Sequence, residues 1–266
     1  MKTLEKYLKR KKIIIRNRLI TVNYFYRPGS AGLIIFIPGL GCLKEEYSGA
    51  FQSGLLKRFA LLVFDWPQEQ LNLRDIAYIT HQIAGGYAKK YIIVSHSAGG
   101  AAGLLCIKEK PQNVVGFVNI EGSLIADNAR WSRKIVKMGI KSLREKNFGS
   151  LVRSLQTSKN PGFRNYGKEL AGISIKSYFS YSRSHARYVQ GERLLNQYIK
   201  LNIPKIFIYG IQNKSWKNTI KKLKEGKCAV ANIPKSHHFP HIDNPRYFYN
   251  FIYKFARKIF ISSTGV

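Results

Sequence analysis

Tyr91-Ile92-Ile93-Val94-Ser95-His96-Ser97-Ala98-Gly99-Gly100 is an apolar run that stops at a serine among small residues and passes directly into an alanine- and glycine-rich stretch. The run reads as a buried strand, the stretch after it as a helix, and the junction as a turn with room only for small neighbours. A serine at such a turn has its hydroxyl exposed, while the following amide and the helix N-terminus point to where negative charge would develop on a group under attack. Ser97 is therefore the candidate nucleophile. Ser95 and Gly99, two positions to either side, must stay small for strand and helix to approach. Ser95 occupies the place where the G-x-S-x-G pattern has its first glycine.

Upstream, Leu33-Ile34-Ile35-Phe36-Ile37-Pro38-Gly39-Leu40-Gly41 is another run of consecutive apolar residues, ending in a glycine-containing loop. Strand patterns fall at about 12–17 and 19–27, an opening hairpin-like pair, then at 32–38, 60–65, 91–96, 114–120, 204–210 and 228–233. Helical patterns separate most of them. In Asn72–Ile83, for example, Ile76, Ile79 and Ile83 recur at helical spacing. This alternation predicts an α/β fold: a mostly parallel twisted sheet of about eight strands with helices on both faces. The alternation breaks after Glu121-Gly122. From about Ser123 to Lys200 the chain is helical and strand-poor, then returns to a buried strand at Ile203-Pro204. The expected organisation is a core formed by residues 1–122 and 201–266, with a helical cap, 123–200, inserted after the sixth strand. In the final helix, Phe248, Phe251, Ile252, Phe255 and Ile259 share one face, which suits core packing better than a membrane.

On these stretches the chain resembles the α/β-hydrolase superfamily, specifically serine hydrolases with an inserted helical cap. The resemblance covers nearly the whole chain except the cap, where only helicity and position match. It implies an oxyanion hole made by the backbone N–H groups of Leu40 and Ala98, and many relatives have histidine where Pro38 stands. It also implies that Ser236-His237-His238-Phe239-Pro240-His241-Ile242-Asp243-Asn244-Pro245 is the loop carrying the catalytic histidine. His238 aligns with the family's base, and His237 falls where a glycine commonly precedes it. The expected activity is that of a serine esterase on a small-molecule, ester-like substrate, with thioester, amide or carbon–carbon bond hydrolysis and acyl transfer as chemically related options.

For the acid of the triad the expected residue is Glu121, with Asn213 as the alternative. The acid's usual family place, three residues past the glycine of Pro204–Gly210, holds Asn213, an amide that can orient an imidazole without stabilising its charged form. Glu121 ends the strand Val114–Ile120, a position to which some relatives move the acid, and strand ends distant in sequence lie side by side at the top of a parallel sheet. Asp65 ends a strand beside the expected pocket base, Asp75 and Glu225 fall in helical surface patterns, and Asp243 reads as a residue of a helix N-cap region. His96 and His81 suit packing or solvation. Cys42 suits a small apolar filler. His237, His238 and His241 invite a metal reading, yet no Cys, Asp or Glu set at ligand spacing accompanies them, so no metal and no cofactor is expected.

Lys+Arg 45 against Asp+Glu 14 gives a net charge of +31. Such a field favours weak, salt-dependent contact with anionic membrane or nucleic acid, or else a uniformly basic solvated surface, and no nucleic-acid-binding motif decides for a specific polyanion. Part of the charge lies on an expected amphipathic helix, Asn128–Arg144, with apolar residues at 131, 135, 138 and 143. The cysteines at 42, 106 and 228 form no disulfide framework, which points to a reducing, cytoplasmic setting. The basic Met1–Lys12 segment precedes apolar residues too few and too charged for a signal sequence. Two readings outside catalysis by an intact triad also fit the residues: a binding protein on this fold with an impaired site, and a protein that docks on polyanions or membranes through its basic surface.

Overall fold

The computed structural model describes residues 4–261, so a short Ser262-Ser263-Thr264 tail and the first residues of the basic N-terminal segment lie outside the described residues. The strands are β1 Leu8–Ile15, β2 Arg18–Arg27, β3 Leu33–Ile37, β4 Ala60–Phe64, β5 Tyr91–His96, β6 Val114–Ile120, β7 Lys205–Gly210 and β8 Val230–Ile233. The helices are α1 Ser48–Gln52, α2 Leu73–Ala84, α3 Ala98–Glu109, α4 Arg130–Ser142, α5 Phe148–Gln156, α6 Pro161–Leu170, α7 Ile175–Tyr188, α8 Arg193–Ile199, α9 Lys217–Glu225, α10 Pro240–Asp243 and α11 Pro245–Phe260. One eight-stranded sheet runs in the order β1-β2-β4-β3-β5-β6-β7-β8. β1 and β2 pair antiparallel, as do β2 and β4, and every other pair is parallel.

The consecutive apolar runs are explained by burial on both sides of the sheet. Ile35, Ile37, Leu62 and Ile93 face one core with Ile76, Ile79 and Ile83 of α2 and the small residues of α3. Their neighbours Ile34, Phe36, Leu61, Val63 and Val94 face a second core with Phe248 and Ile252 of α11. Phe251, Phe255 and Ile259 pack against that second core, so the aromatic face of α11 is internal. α2 opens on a capping box in which Asn72 accepts from the Asp75 amide while Asp75 accepts from the Asn72 amide.

Three local expectations change. β1 begins at Leu8 rather than near residue 12, because Lys9, Arg10, Lys11 and Lys12 lie on an edge strand, where cations discourage further pairing and hide the strand pattern. Asp75 is buried rather than on the surface, bonded to Arg16 at 2.6 Å. The single amphipathic helix expected over 128–144 is interrupted at Gly139 (φ 75°), after which the chain bends and passes through a π-type turn, Leu143–Asn147.

Helices α4 to α8 follow one another between β6 and β7 with no strand among them. They reach the C-terminal strand ends, where β3, β5, β6, β7 and β8 deliver the loops that bear the candidate residues.

Candidate active site

Ser97 follows β5 directly and serves as the N-cap of α3 with φ 53° and ψ −120°. A non-glycine residue in that region is strained, which fits a side chain held at a sharp elbow. The elbow depends on Gly99. A Cβ there would lie 2.5 Å from the Pro38 carbonyl oxygen, so a larger residue would drive α3 off the end of β3. Ser95 is fully buried, and its small side chain is accommodated where the motif more often has glycine.

Glu121 follows β6 directly and is likewise at positive φ (44°) and fully buried. Its Oε2 receives His238 Nδ1 at 2.5 Å and Asn213 Nδ2 at 2.5 Å, and its Oε1 receives the Gly210 amide at 2.9 Å. His238 Nε2 lies 3.2 Å from Ser97 Oγ. The structure therefore brings Ser97, His238 and Glu121 into one hydrogen-bonded line. Asn213 stands one step further out, donating to the carboxylate and contributing its own carbonyl oxygen to the Ser215 amide. Leu40 and Ala98 line the same cavity as Ser97 and His238. As the first residue of α3, Ala98 has an amide with no acceptor within the helix.

The other acidic residues are engaged elsewhere. Asp65 accepts from the Lys44 amide and ammonium at 2.7 and 3.0 Å. Asp243 holds the His237 amide at 2.8 Å, and from α6 it holds the Gly162 amide at 3.0 Å and Asn160 Nδ2 at 3.1 Å. Glu225 is on the surface, 3.9 Å from Lys221. The three histidines of the 237–241 segment part company: His238 meets Ser97, the His237 amide meets Asp243, and His241 is buried against Glu46 at 3.2 Å.

Glu46 is the residue that sequence reasoning missed. Its carboxylate is fully buried, accepts the Gly39 amide at 3.0 Å and lies 2.5 Å from His96 Nδ1. The other nitrogen of His96 donates to the His238 carbonyl at 2.8 Å. Both ring nitrogens of His96 thus face oxygen acceptors, one of them the ionised carboxylate of Glu46. Burial opposes that ionisation. The charge of His96, and hydrogen bonds from His241 and His96, outweigh it and pull the Glu46 carboxyl well below the usual carboxylate range. Only the local Leu43-Lys44-Glu45-Glu46-Tyr47 turn was on view in the sequence, and its partners at 39, 96 and 241 are remote.

Cys42, Glu46 and His96 are the trio among the described residues whose ligand-type atoms lie within 4.8 Å of one another. Glu46 and His96 are bound to each other, and burial and the Glu46 charge hold the Cys42 thiol far above its ordinary pKa. This donor set behaves as an internal ion pair beside a small apolar filler. Among the described residues Cys42, Cys106 and Cys228 are free thiols.

Ser97 and His238 open onto a cavity of about 520 Å³. Trp216 from the core and Trp131, Leu151, Phe163 and Tyr166 from the inserted helices give it a largely apolar, aromatic wall. Trp216 stacks on His238 with the rings 9° from parallel and 6.3 Å apart. Within the wall, Ser132 Oγ of α4 lies 2.8 Å from His185 Nδ1 of α7.

A parallel sheet crowned at its strand ends by a strained serine, with a histidine and a carboxylate arriving from later strands in that fold's chain order, defines the α/β-hydrolase class. The chain belongs to the alpha/beta hydrolase family, whose profile matches residues 34–251. Among solved structures it is similar to a thermophilic esterase from Thermogutta terrifontis, at 13% identity and a TM-score of 0.79 over 95% of this chain and 99% of that one. It is also similar to a putative aryl esterase from Burkholderia cenocepacia (18% identity, TM-score 0.70, 94% and 99% covered). An N-acyl homoserine lactonase is a further likeness (12% identity, TM-score 0.73, 97% and 98% covered). No curated protein sequence matches the chain. Family and fold together support a hydrolase. No helix among the described residues is long and apolar enough to cross a membrane.

Proposed function

We propose that the protein is a serine hydrolase of carboxylic esters, with Ser97 as nucleophile, His238 as general base and acid, and Glu121 as the carboxylate that orients and stabilises the imidazolium. The reading is carried by the line from Ser97 Oγ through His238 to Glu121, at 3.2 and 2.5 Å. Ser97 attacks the ester carbonyl as His238 Nε2 takes its proton. The oxyanion is held by the amides of Leu40 and Ala98, and His238 returns the proton to the departing alcohol. Water then repeats the sequence on the acyl-enzyme.

In the same proposal residues 123–200 act as a cap over the cavity, and the aromatic wall selects small, mainly apolar esters. The structural likeness to proteins described as esterases and a lactonase supports that substrate class. A fluorophosphonate probe tests the reading. Covalent labelling of the wild type that disappears in Ser97→Ala, together with hydrolysis of short p-nitrophenyl esters that falls by about three orders of magnitude or more, is the expected result. An unlabelled wild type that binds esters without turning them over would instead mark a binding protein on a hydrolase fold.

A further inference from the structure

His185 is a buried titratable group at the cavity that the proposed reaction does not use, and unlike His96 it has no carboxylate beside it among the described residues. It lies on α7, is 3% exposed, and shares the cavity wall with Ser97 and His238. Its Nδ1 is engaged by Ser132, and its Nε2 has no hydrogen-bond partner among the described residues. Burial, and secondarily the positive charge of Arg133, lower its pKa to about 4, so near neutrality the ring is uncharged. A buried polar atom left unpaired is costly, and such an atom on a residue that lines a substrate cavity marks a contact completed when the cavity is filled.

We infer that His185 is a specificity-determining residue, and that the preferred substrates are esters whose mainly apolar acyl or alcohol portion carries a hydroxyl group, remote from the scissile bond, that hydrogen-bonds to His185 Nε2. The inference rests on the ester-hydrolase reading above and adds the substrate class. A neutral imidazole gives a carboxylate or phosphate no charge to pair with. A hydroxyl both donates and accepts, so it suits whichever tautomer the Ser132 contact selects. Trp131, Leu151, Leu155 and Phe163 line the same cavity, so His185 is one of a few polar points, with Asp127, Asn128, Arg130 and Ser132, in a mainly apolar wall, the arrangement by which a pocket fixes orientation.

The test compares kcat/KM for methyl octanoate and octyl acetate with that for the open-chain monohydroxylated positional isomers of each. Wild type, His185→Phe and His185→Gln are assayed, each checked for folding by circular dichroism. At least one isomer is expected to exceed its parent by roughly 5- to 100-fold in the wild type, the range set by leaving a buried polar group unpaired in the parent complex. That ratio collapses toward one in His185→Phe and is partly retained in His185→Gln. Hydrolysis of the parents with no isomer preferred overturns this inference alone, and so does an equal preference in a folded His185→Phe. Should that variant not fold, the wild-type ratio still decides, since a flat isomer series is incompatible with the contact. Failure to hydrolyse either parent or any isomer, with Ser97 unlabelled by fluorophosphonate, overturns the underlying reading and this inference with it.

Discussion

Glu121 accepts from His238, Asn213 and Gly210 while sitting at φ 44° and out of contact with water. Three donors on one buried carboxylate leave it a fixed partner for the imidazolium that the proposed reaction would form on His238. Glu121→Gln is expected to lower kcat by about three to four orders of magnitude, because an amide can hold the wrong tautomer of His238. Asn213→Ala removes one donor to the carboxylate and not the carboxylate itself, so its loss is expected to stay within about tenfold. Single-turnover and steady-state kinetics on both variants check the ranking, and a reversed order would move the acid's role to Asn213. Both residues were visible in the sequence, Glu121 at a strand end and Asn213 at the family's usual place for the acid. What stayed hidden was that the two touch, since which of two distant strand ends reaches a histidine depends on the order of strands in the sheet.

At the scale of elements, Glu46 joins pieces that are far apart in the chain: the loop after β3 through Gly39, the end of β5 through His96, and the start of α10 through His241. His96 in turn fixes the backbone of His238. Glu46→Gln leaves the His96 ring without its carboxylate partner and is expected to destabilise the fold by about 3 kcal/mol or more, the scale of breaking a buried ion pair. Under the proposed function the surviving folded fraction should show a lower kcat with KM little altered, since it is the backbone at His238 and the Gly39 loop that lose their support. Chemical denaturation and kinetics on the same preparation read both effects, and an unchanged midpoint would contradict the pairing. Elements whose signal is local were legible beforehand. β3, β4 and β5 read as continuous apolar runs because both faces of the sheet are covered, and α2 through its isoleucine spacing. β1 was shortened because lysines on a sheet edge look like solvent-facing charge. The break at Gly139 went unseen because one glycine in an amphipathic pattern does not disclose which way the backbone turns.

For the whole molecule, protonation links the interior to stability. Burial and the charge of Lys110 lower His81 to about 4, and His185 reaches the same value through burial and Arg133. Folded-state values below the ordinary 6.5 mean that the unfolded chain takes up protons first as pH falls, so stability present above about pH 6.5 is lost progressively down to about pH 4. The depressed Glu46 adds a contribution present above its ordinary value of 4.5 and lost below it. Thermal melts from pH 8 to pH 4 should therefore show Tm falling steadily below pH 6.5, and a flat profile across that interval would refute the two neutral histidines. The net charge of +31 was plain from composition, but the use made of the few carboxylates was not, because Glu46, Asp75, Glu121 and Glu169 are all drawn inside. Asp243 shows what such economy entails. One carboxylate clasps both the segment bearing His238 and the leading end of α6. An outward swing of the inserted helices would therefore pull on the same tether that seats His238, so that a gaping form of this protein would also be a disarmed one.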